Sequence, residues 1–550
     1  MITPLGRLYQ WERTQPAQGF LHQPIDGTWH TWTWGEAARE VRRMAAAIQA
    51  KGYEPGSRIA ILSRNCAHWI MADLAIMMSG HISVPIYPNI NAETVRYVLT
   101  HSEARLIFVG KLEQHDWDEM RPGIPDEVER ISFGRYALQG ADYPDWDTLV
   151  RSNEPLTGSP DRSLDEVMTI IYTSGTTGRP KGVVLKFEAP VFAFEGFQHH
   201  FHIQPQDRFF SYLPLSHIAE RMLVVMGSLR GGAHVYFAQS LDTFADNLRH
   251  AEPTLFLGVP RIWTKFQSGV LAKFPPSRLN LLLSLPLIRT GLSKLICGKL
   301  GLGKARVLLT GAAPTPKSLL EWYSRLGMHI YEVYGMTENS AYSHANTPEG
   351  TRFGTVGRPM IDTTFKLTAE GEICIKSLAN MSAYYKEPEL TAEVLRDGFL
   401  HTGDKGEVDA DGFVRITGRV KDLFKTSKAK YVVPAPIEML LSKDDHIEQV
   451  CVVGSGLPQP LALVVLSETA RKRTRDEVAG SLRSTLAAVN SQLEDHERLQ
   501  NLVVVREDWT TENGVLTPTL KIKRGAVDDR YTPSYERWYE GGKGTVIWEN

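Results

Sequence analysis

The chain has 550 residues, 42% hydrophobic and 23% charged, with 61 Lys and Arg against 63 Asp and Glu. Those proportions describe a globular protein long enough for several domains. A net charge of -2 excludes a chain built to coat nucleic acid, which needs a strong basic excess, so no nucleic-acid partner is expected. Cys66, Cys297, Cys374 and Cys451 show no C-x-x-C spacing, which supports neither a zinc ribbon nor a disulfide framework. Each is expected to be a small buried residue. Met1-Ile2-Thr3-Pro4-Leu5 lacks a basic run before an apolar core, so no signal peptide is expected, and no apolar stretch approaches a membrane span. The expected location is the cytoplasm, with contact to the inner face of a membrane for a reason given below.

In chain order, Ala38, Val41, Ala45 and Ile48 recur at helical spacing within residues 35–50, and Gly52 follows as a stop. Residues 58–62 read as a strand, 69–78 as a buried helix and 82–86 as a second strand. Apolar runs alternating with amphipathic stretches predict an α/β body. Past Gly418 the dense charged run Arg419-Val420-Lys421-Asp422 leads into a compact unit. There, residues 450–453 and 461–465 read as strands, and Val478, Leu482, Val489 and Leu493 as one face of a helix. The expected division is a large multi-part α/β N-terminal domain, 1–418, and a small mobile α+β C-terminal domain, 419–550, hinged near Lys421.

A strand over 167–172 runs into Thr173-Ser174-Gly175-Thr176-Thr177-Gly178-Arg179-Pro180-Lys181-Gly182. Glycines let a backbone close on an anion and hydroxyls add donors. Lys181 adds a mobile positive charge, and the combination suits a triphosphate. Pro180 stands where a Walker A loop needs its second glycine, so this is a different phosphate loop.

The run from Tyr172 to Gly182 resembles the phosphate-loop signature of the adenylate-forming superfamily, which includes acyl-CoA synthetases, luciferase and peptide-synthetase adenylation domains. Further motifs follow in that family's order. The resemblance implies that in Tyr334-Gly335-Met336-Thr337-Glu338 the Tyr stacks on adenine, Thr337 contacts the α-phosphate and Glu338 helps hold Mg2+. A hard cation and a purine face suit a carboxylate and a phenol ring. Gly311-Ala312-Ala313-Pro314 resembles the other wall of the adenine pocket. In His401-Thr402-Gly403-Asp404 the resemblance implies that Asp404 takes the ribose hydroxyls; Arg419 contacts ribose or phosphate, and Lys421 is the hinge. Thr517-Pro518-Thr519-Leu520-Lys521-Ile522-Lys523-Arg524 resembles the C-terminal lysine motif, with Leu520 in place of the usual glycine, a form associated with long-chain enzymes, and Lys523 is the alternative to Lys521 by position. Lys521 is then the catalytic lysine, offsetting the repulsion between a carboxylate and the α-phosphate. At about 4 Å and an effective dielectric of about 20, one unit charge is worth about 4 kcal/mol.

The resemblance implies ATP, Mg2+ and coenzyme A as partners of a fatty acid, first activated as acyl-AMP and then moved to the CoA thiol. Residues 211–221, Val259-Pro260-Arg261-Ile262-Trp263 and Lys425-Thr426-Ser427-Lys428 look like the long-chain branch, with His217 lining the acyl path. Residues 271–306 carry seven basic side chains, no acid and a dense set of leucines, a pattern suited to a peripheral membrane contact. Ala429 replaces a glycine expected to admit pantetheine. The rival readings are an adenylating enzyme with another thiol acceptor, a medium-chain or aryl-acid ligase, and a catalytically silent relative that binds nucleotide or fatty acid.

Overall fold

The computed structural model describes residues 1–549 except 137, 142, 175–178, 518 and 519. Strands Arg58–Leu62, Ile82–Ile86, Ala104–Val109 and Glu129–Ser132 run parallel in a seven-stranded sheet. Their alternation divides one core from another. Ile59 and Ile61 face one apolar cluster while Ala60 and Leu62 face a second, as the two-residue side-chain period requires. The helix Ala67–Met78 is buried along its whole length and shares the first cluster with strands of a nine-stranded sheet, so its sequence is apolar all round. The expected helix over 35–50 spans Trp34–Gln49 and begins with a Thr33–Glu36 capping box.

Three parts of the body carry the site. The hairpin β1 (Val167–Ser174) and β2 (Pro180–Lys186) pairs Thr173 with Lys181. Strand β3 (Ile330–Tyr334) lies in the nine-stranded sheet. A separate five-stranded antiparallel sheet contains β4 (Glu372–Lys376), β5 (Phe399–Val408) and β6 (Val414–Arg419).

After β6 the chain enters a small α+β unit with a four-stranded sheet, two strands of which, Ile447–Val453 and Leu461–Leu466, match the expected runs. Val450 and Val452 pack on one face beside Val478, Leu482 and Val489; Cys451 and Val453 pack on the other beside Val527 and Tyr531. The helix expected through Leu493 ends at Asn490, although Leu493 still packs on the same cluster. Three cysteines are buried as expected, while Cys297 is only half-buried. Cys374 also differs in its surroundings, because its Sγ lies 3.3 Å from His401 Nδ1.

Candidate active site

Strand β3 delivers Tyr334 and then turns sharply. A Cβ at Gly335 would sit 2.3 Å from the backbone carbon of Ala341, so only glycine fits. The following 3-10 turn, Thr337–Asn339, buries Thr337 and Glu338. Tyr384 Oη–H donates to Glu338 Oε1 at 2.8 Å, and Lys181 Nζ lies 5.5 Å from the centre of the Tyr384 ring. Burial raises the Glu338 carboxyl above its ordinary pKa, opposed by the Tyr384 hydrogen bond, Arg419 and Lys181. A buried carboxylate whose charge is disfavoured gains when a cation joins it, so Glu338 suits Mg2+.

Asp404 and Arg419 face each other across β5 and β6, with Arg419 Nε 3.1 Å from Asp404 Oδ1. The other carboxylate oxygen accepts Tyr334 Oη–H at 2.6 Å. Asp404 raises Arg419 above its ordinary pKa, and burial followed by Asp404 raises the Tyr334 phenol. Beside β3, a Cβ at Gly311 would meet the Val333 carbonyl at 2.8 Å, so the segment holding Ala312 and Ala313 hugs that strand. Ala312 and Ala313 are exposed, and Ala312 has φ 65°.

Lys521 comes from the small domain. Its backbone N–H donates to Thr517 Oγ1 at 3.0 Å, and its carbonyl accepts Thr517 N–H at 2.8 Å, which closes a tight loop. Burial lowers the Lys521 pKa and Arg419 lowers it further, while Asp404 and Glu338 oppose both. The ammonium thus lies in the field of all three site residues, although the residue as a whole keeps an exposed surface. His217 is near as well. Burial first, and Lys521 second, push its pKa down to about 4. Its Nδ1 accepts Ala219 N–H at 3.2 Å, which places the proton of the neutral ring on Nε2.

Thr173 and Ser174 end β1 at the mouth of the hairpin, and Gly175, Thr176, Thr177 and Gly178 lie outside the described residues. Lys421 is exposed, with Nζ 3.7 Å from Glu393. Next to it, Asp422 pairs with Arg524 at 3.2 Å, linking the segment after β6 to the lysine motif. Both replacements of an expected glycine hold left-handed backbone: φ is 59° at Ala429 and 60° at Leu520.

Two contributors escaped the sequence reading. Tyr384 supports Glu338, and Glu372 accepts the Gly403 N–H at 3.0 Å. Neither lies in a motif whose chemistry is evident from spacing. Beside His217, Glu220 and Arg221 serve the interior: Arg221 pairs with the buried Asp73 at 2.6 Å, and burial lifts Glu220 to about 8.

Residues 8–385 match the family described as AMP-binding enzyme, and residues 421–543 match the AMP-binding enzyme C-terminal domain. The long-chain-fatty-acid–CoA ligase FadD15 of Mycobacterium bovis is 28% identical over 97% of this chain and 96% of its own. Long chain acyl-CoA synthetase 2 of Arabidopsis thaliana is 29% identical over 94% of this chain and 88% of its own. The fold is similar to the anthranilate CoA ligase AuaEII in complex with anthranoyl-AMP, with TM-score 0.78, 20% identity and 96% of each chain covered.

Proposed function

Because the chain belongs to the AMP-binding enzyme family, we propose that it activates a long-chain fatty acid with ATP and joins it to coenzyme A. The observation that carries this reading is Lys521, drawn from the C-terminal domain into the field of Glu338, Asp404 and Arg419. Two anions must meet in the first step, and a cation between them lowers that barrier. The carboxylate oxygen attacks the α-phosphorus, the bond to pyrophosphate breaks, and acyl-AMP forms. In the second step the CoA thiolate attacks the acyl carbon and the bond to AMP breaks. No protein nucleophile is needed, since positioning and charge neutralisation account for such transfers.

In this reading Tyr334 stacks on adenine opposite Gly311, Ala312 and Ala313. Asp404 accepts from the ribose hydroxyls and Arg419 steadies the ribose or phosphate. Thr337 donates to the α-phosphate, while Lys181 and the loop from Thr173 to Gly178 hold the rest of the triphosphate. Glu338 would hold Mg2+, which neutralises phosphate charge when bound. His217, neutral at physiological pH, borders the acyl path. The division falls between 1–418 and 419–550. Rotation about Lys421 withdraws Lys521 and brings the Ala429 face to the CoA thiol.

The fatty-acid reading draws further support from three consecutive helices, Pro260–Lys273, Pro276–Ser284 and Pro286–Lys299. Leu281, Leu285 and Leu295 are exposed there among Lys273, Arg278, Arg289, Lys294 and Lys299. Among the described residues no helix is long and apolar enough to cross a membrane. An interfacial contact with an anionic lipid surface is the proposed role, and equal sedimentation with neutral and anionic liposomes would dispose of it. The reaction itself is tested by pyrophosphate release across a fatty-acid panel, with and without CoA. Long acyl chains should release pyrophosphate, and full turnover should require CoA; release with aryl acids alone would overturn the substrate class.

A further inference from the structure

The Thr402-Gly403-Asp404 turn is held from outside itself. Glu372, on the neighbouring strand β4, accepts the Gly403 N–H with Oε1 at 3.0 Å. Its other oxygen lies 2.8 Å from His401 Nδ1. The Gly403 carbonyl accepts the N–H of Val420 at 2.8 Å. Both polar groups of this one residue are therefore engaged, one by Glu372 and one by the segment between Arg419 and Lys421. Gly403 has φ 72°, a left-handed conformation that breaks the regular course of β5. The pairing of β4 with β5 shifts register between Glu372 and Cys374, so the ladder alone does not fix the turn. Side chains take over: Thr402 Oγ1 donates to the Ile373 carbonyl at 2.8 Å and accepts the Asp404 N–H at 3.1 Å.

We infer that Glu372 is a positioning residue for nucleotide recognition: by holding the Gly403 N–H it aims the Asp404 carboxylate at the ribose. This rests on the proposed role of Asp404. The side chains of Glu372 and His401 are largely shielded, at 16% and 14% exposed. A hydrogen bond to a carboxylate in such a site is stronger than one between neutral groups. Glu372, Cys374 and His401 also bring three potential metal-ligand atoms within 4.8 Å of one another. However, the Arg396 guanidinium lies 2.8 Å from His401 Nδ1 and sets a permanent positive charge against that cluster. The group is hydrogen-bonded support for the turn.

The consequence is specific. Losing Glu372 should cost the enzyme its ribose contact while leaving the phosphate and adenine contacts in place. ATP and 3′-deoxy-ATP are compared as substrates for acyl-AMP formation in the full-length wild type and in Glu372→Ala, Glu372→Gln and Asp404→Ala, with thermal unfolding in parallel. Glu372→Ala should lower kcat/KM for ATP about tenfold, mostly through KM, and leave 3′-deoxy-ATP nearly unchanged, so that the preference collapses. Glu372→Gln, whose amide oxygen still accepts the Gly403 N–H, should stay within about threefold of wild type. Should Glu372→Ala fail to fold, Glu372→Met, of similar length and without an acceptor, takes its place. If Asp404→Ala loses the preference while Glu372→Ala and Glu372→Met keep it, the positioning role is overturned. If Asp404→Ala itself keeps the preference, the ribose assignment fails and this inference falls with it.

Discussion

The half of the site built on the large domain and the half brought by the C-terminal loop are held in different ways. Asp404 is joined to Arg419 and Tyr334, and Glu338 to Tyr384, by direct polar contacts of 2.6–3.1 Å, anchored on four strands and a buried turn. Lys521 rides on a tight loop beside a left-handed Leu520, and among the described residues its ammonium makes no hydrogen bond. Contacts of that kind are costly to rearrange, whereas an ammonium with no hydrogen-bond partner can leave. The difference fits a two-step reaction. The nucleotide must stay in place through both steps, but the lysine is needed in only one and obstructs the other.

The comparison breaks first at its rigid half. Asp404→Ala removes the acceptor and leaves Arg419 and Tyr334 unpaired, so KM for ATP should rise about 10- to 100-fold; an unchanged KM would show that the carboxylate does not meet the nucleotide. Tyr384→Phe is expected to act less strongly. It takes one hydrogen bond from Glu338, and the Mg2+ concentration for half-maximal rate should rise about three- to tenfold with little change in melting temperature.

On the mobile side the effects are smaller. Ala429→Gly should leave pyrophosphate release unchanged and raise the rate of CoA thioester formation about two- to threefold, by removing a Cβ from the face proposed for pantetheine; no gain in the second step would remove that face from consideration. Leu520→Gly relieves a left-handed leucine worth about 1–2 kcal/mol but adds about 0.5–1 kcal/mol of chain entropy. Its stability should therefore rise by no more than about 1.5 kcal/mol in chemical denaturation.

His217 gives a pH test of how closely the two halves meet. In the unfolded chain it titrates near 6.5, and in the folded protein at about 4. The unfolded state binds more protons between those values, so its contribution is fully present above pH 6.5 and is lost as pH falls toward 4. Replacing His217 with Gln should make acid destabilisation shallower over that interval. An identical slope would show that the ring is not buried beside Lys521.

Much of this site was legible in order along the chain. Lys181, Tyr334, Thr337, Glu338, Asp404, Arg419 and Lys521 each sit in a short segment whose residue types suit the chemistry. The structure sets Lys181, Tyr334, Glu338, Asp404, Arg419 and Lys521 within electrostatic reach of one another, with Thr337 next to Glu338. Glu372 and Tyr384 were illegible for a physical reason: their contributions depend on cross-strand register and on a contact 46 residues away in sequence. Glu220 and Arg221 show the reverse. They read as part of a functional segment, but burial and the Asp73 pair assign them to the interior. The small domain was legible because its strands alternate cleanly between two apolar clusters. The end of its helix was not, since Leu493 continues the apolar face past the last helical turn.

The most direct test separates the two half-reactions in single turnovers of Lys521→Ala. Acyl-AMP formation from fatty acid and ATP should fall about 1,000-fold, the equivalent of about 4 kcal/mol for one charge near the reacting phosphate. Thioester formation from supplied acyl-AMP and CoA should remain within a few-fold of wild type. Equal losses in both steps, or none in the first, would contradict a lysine that serves one step and then departs.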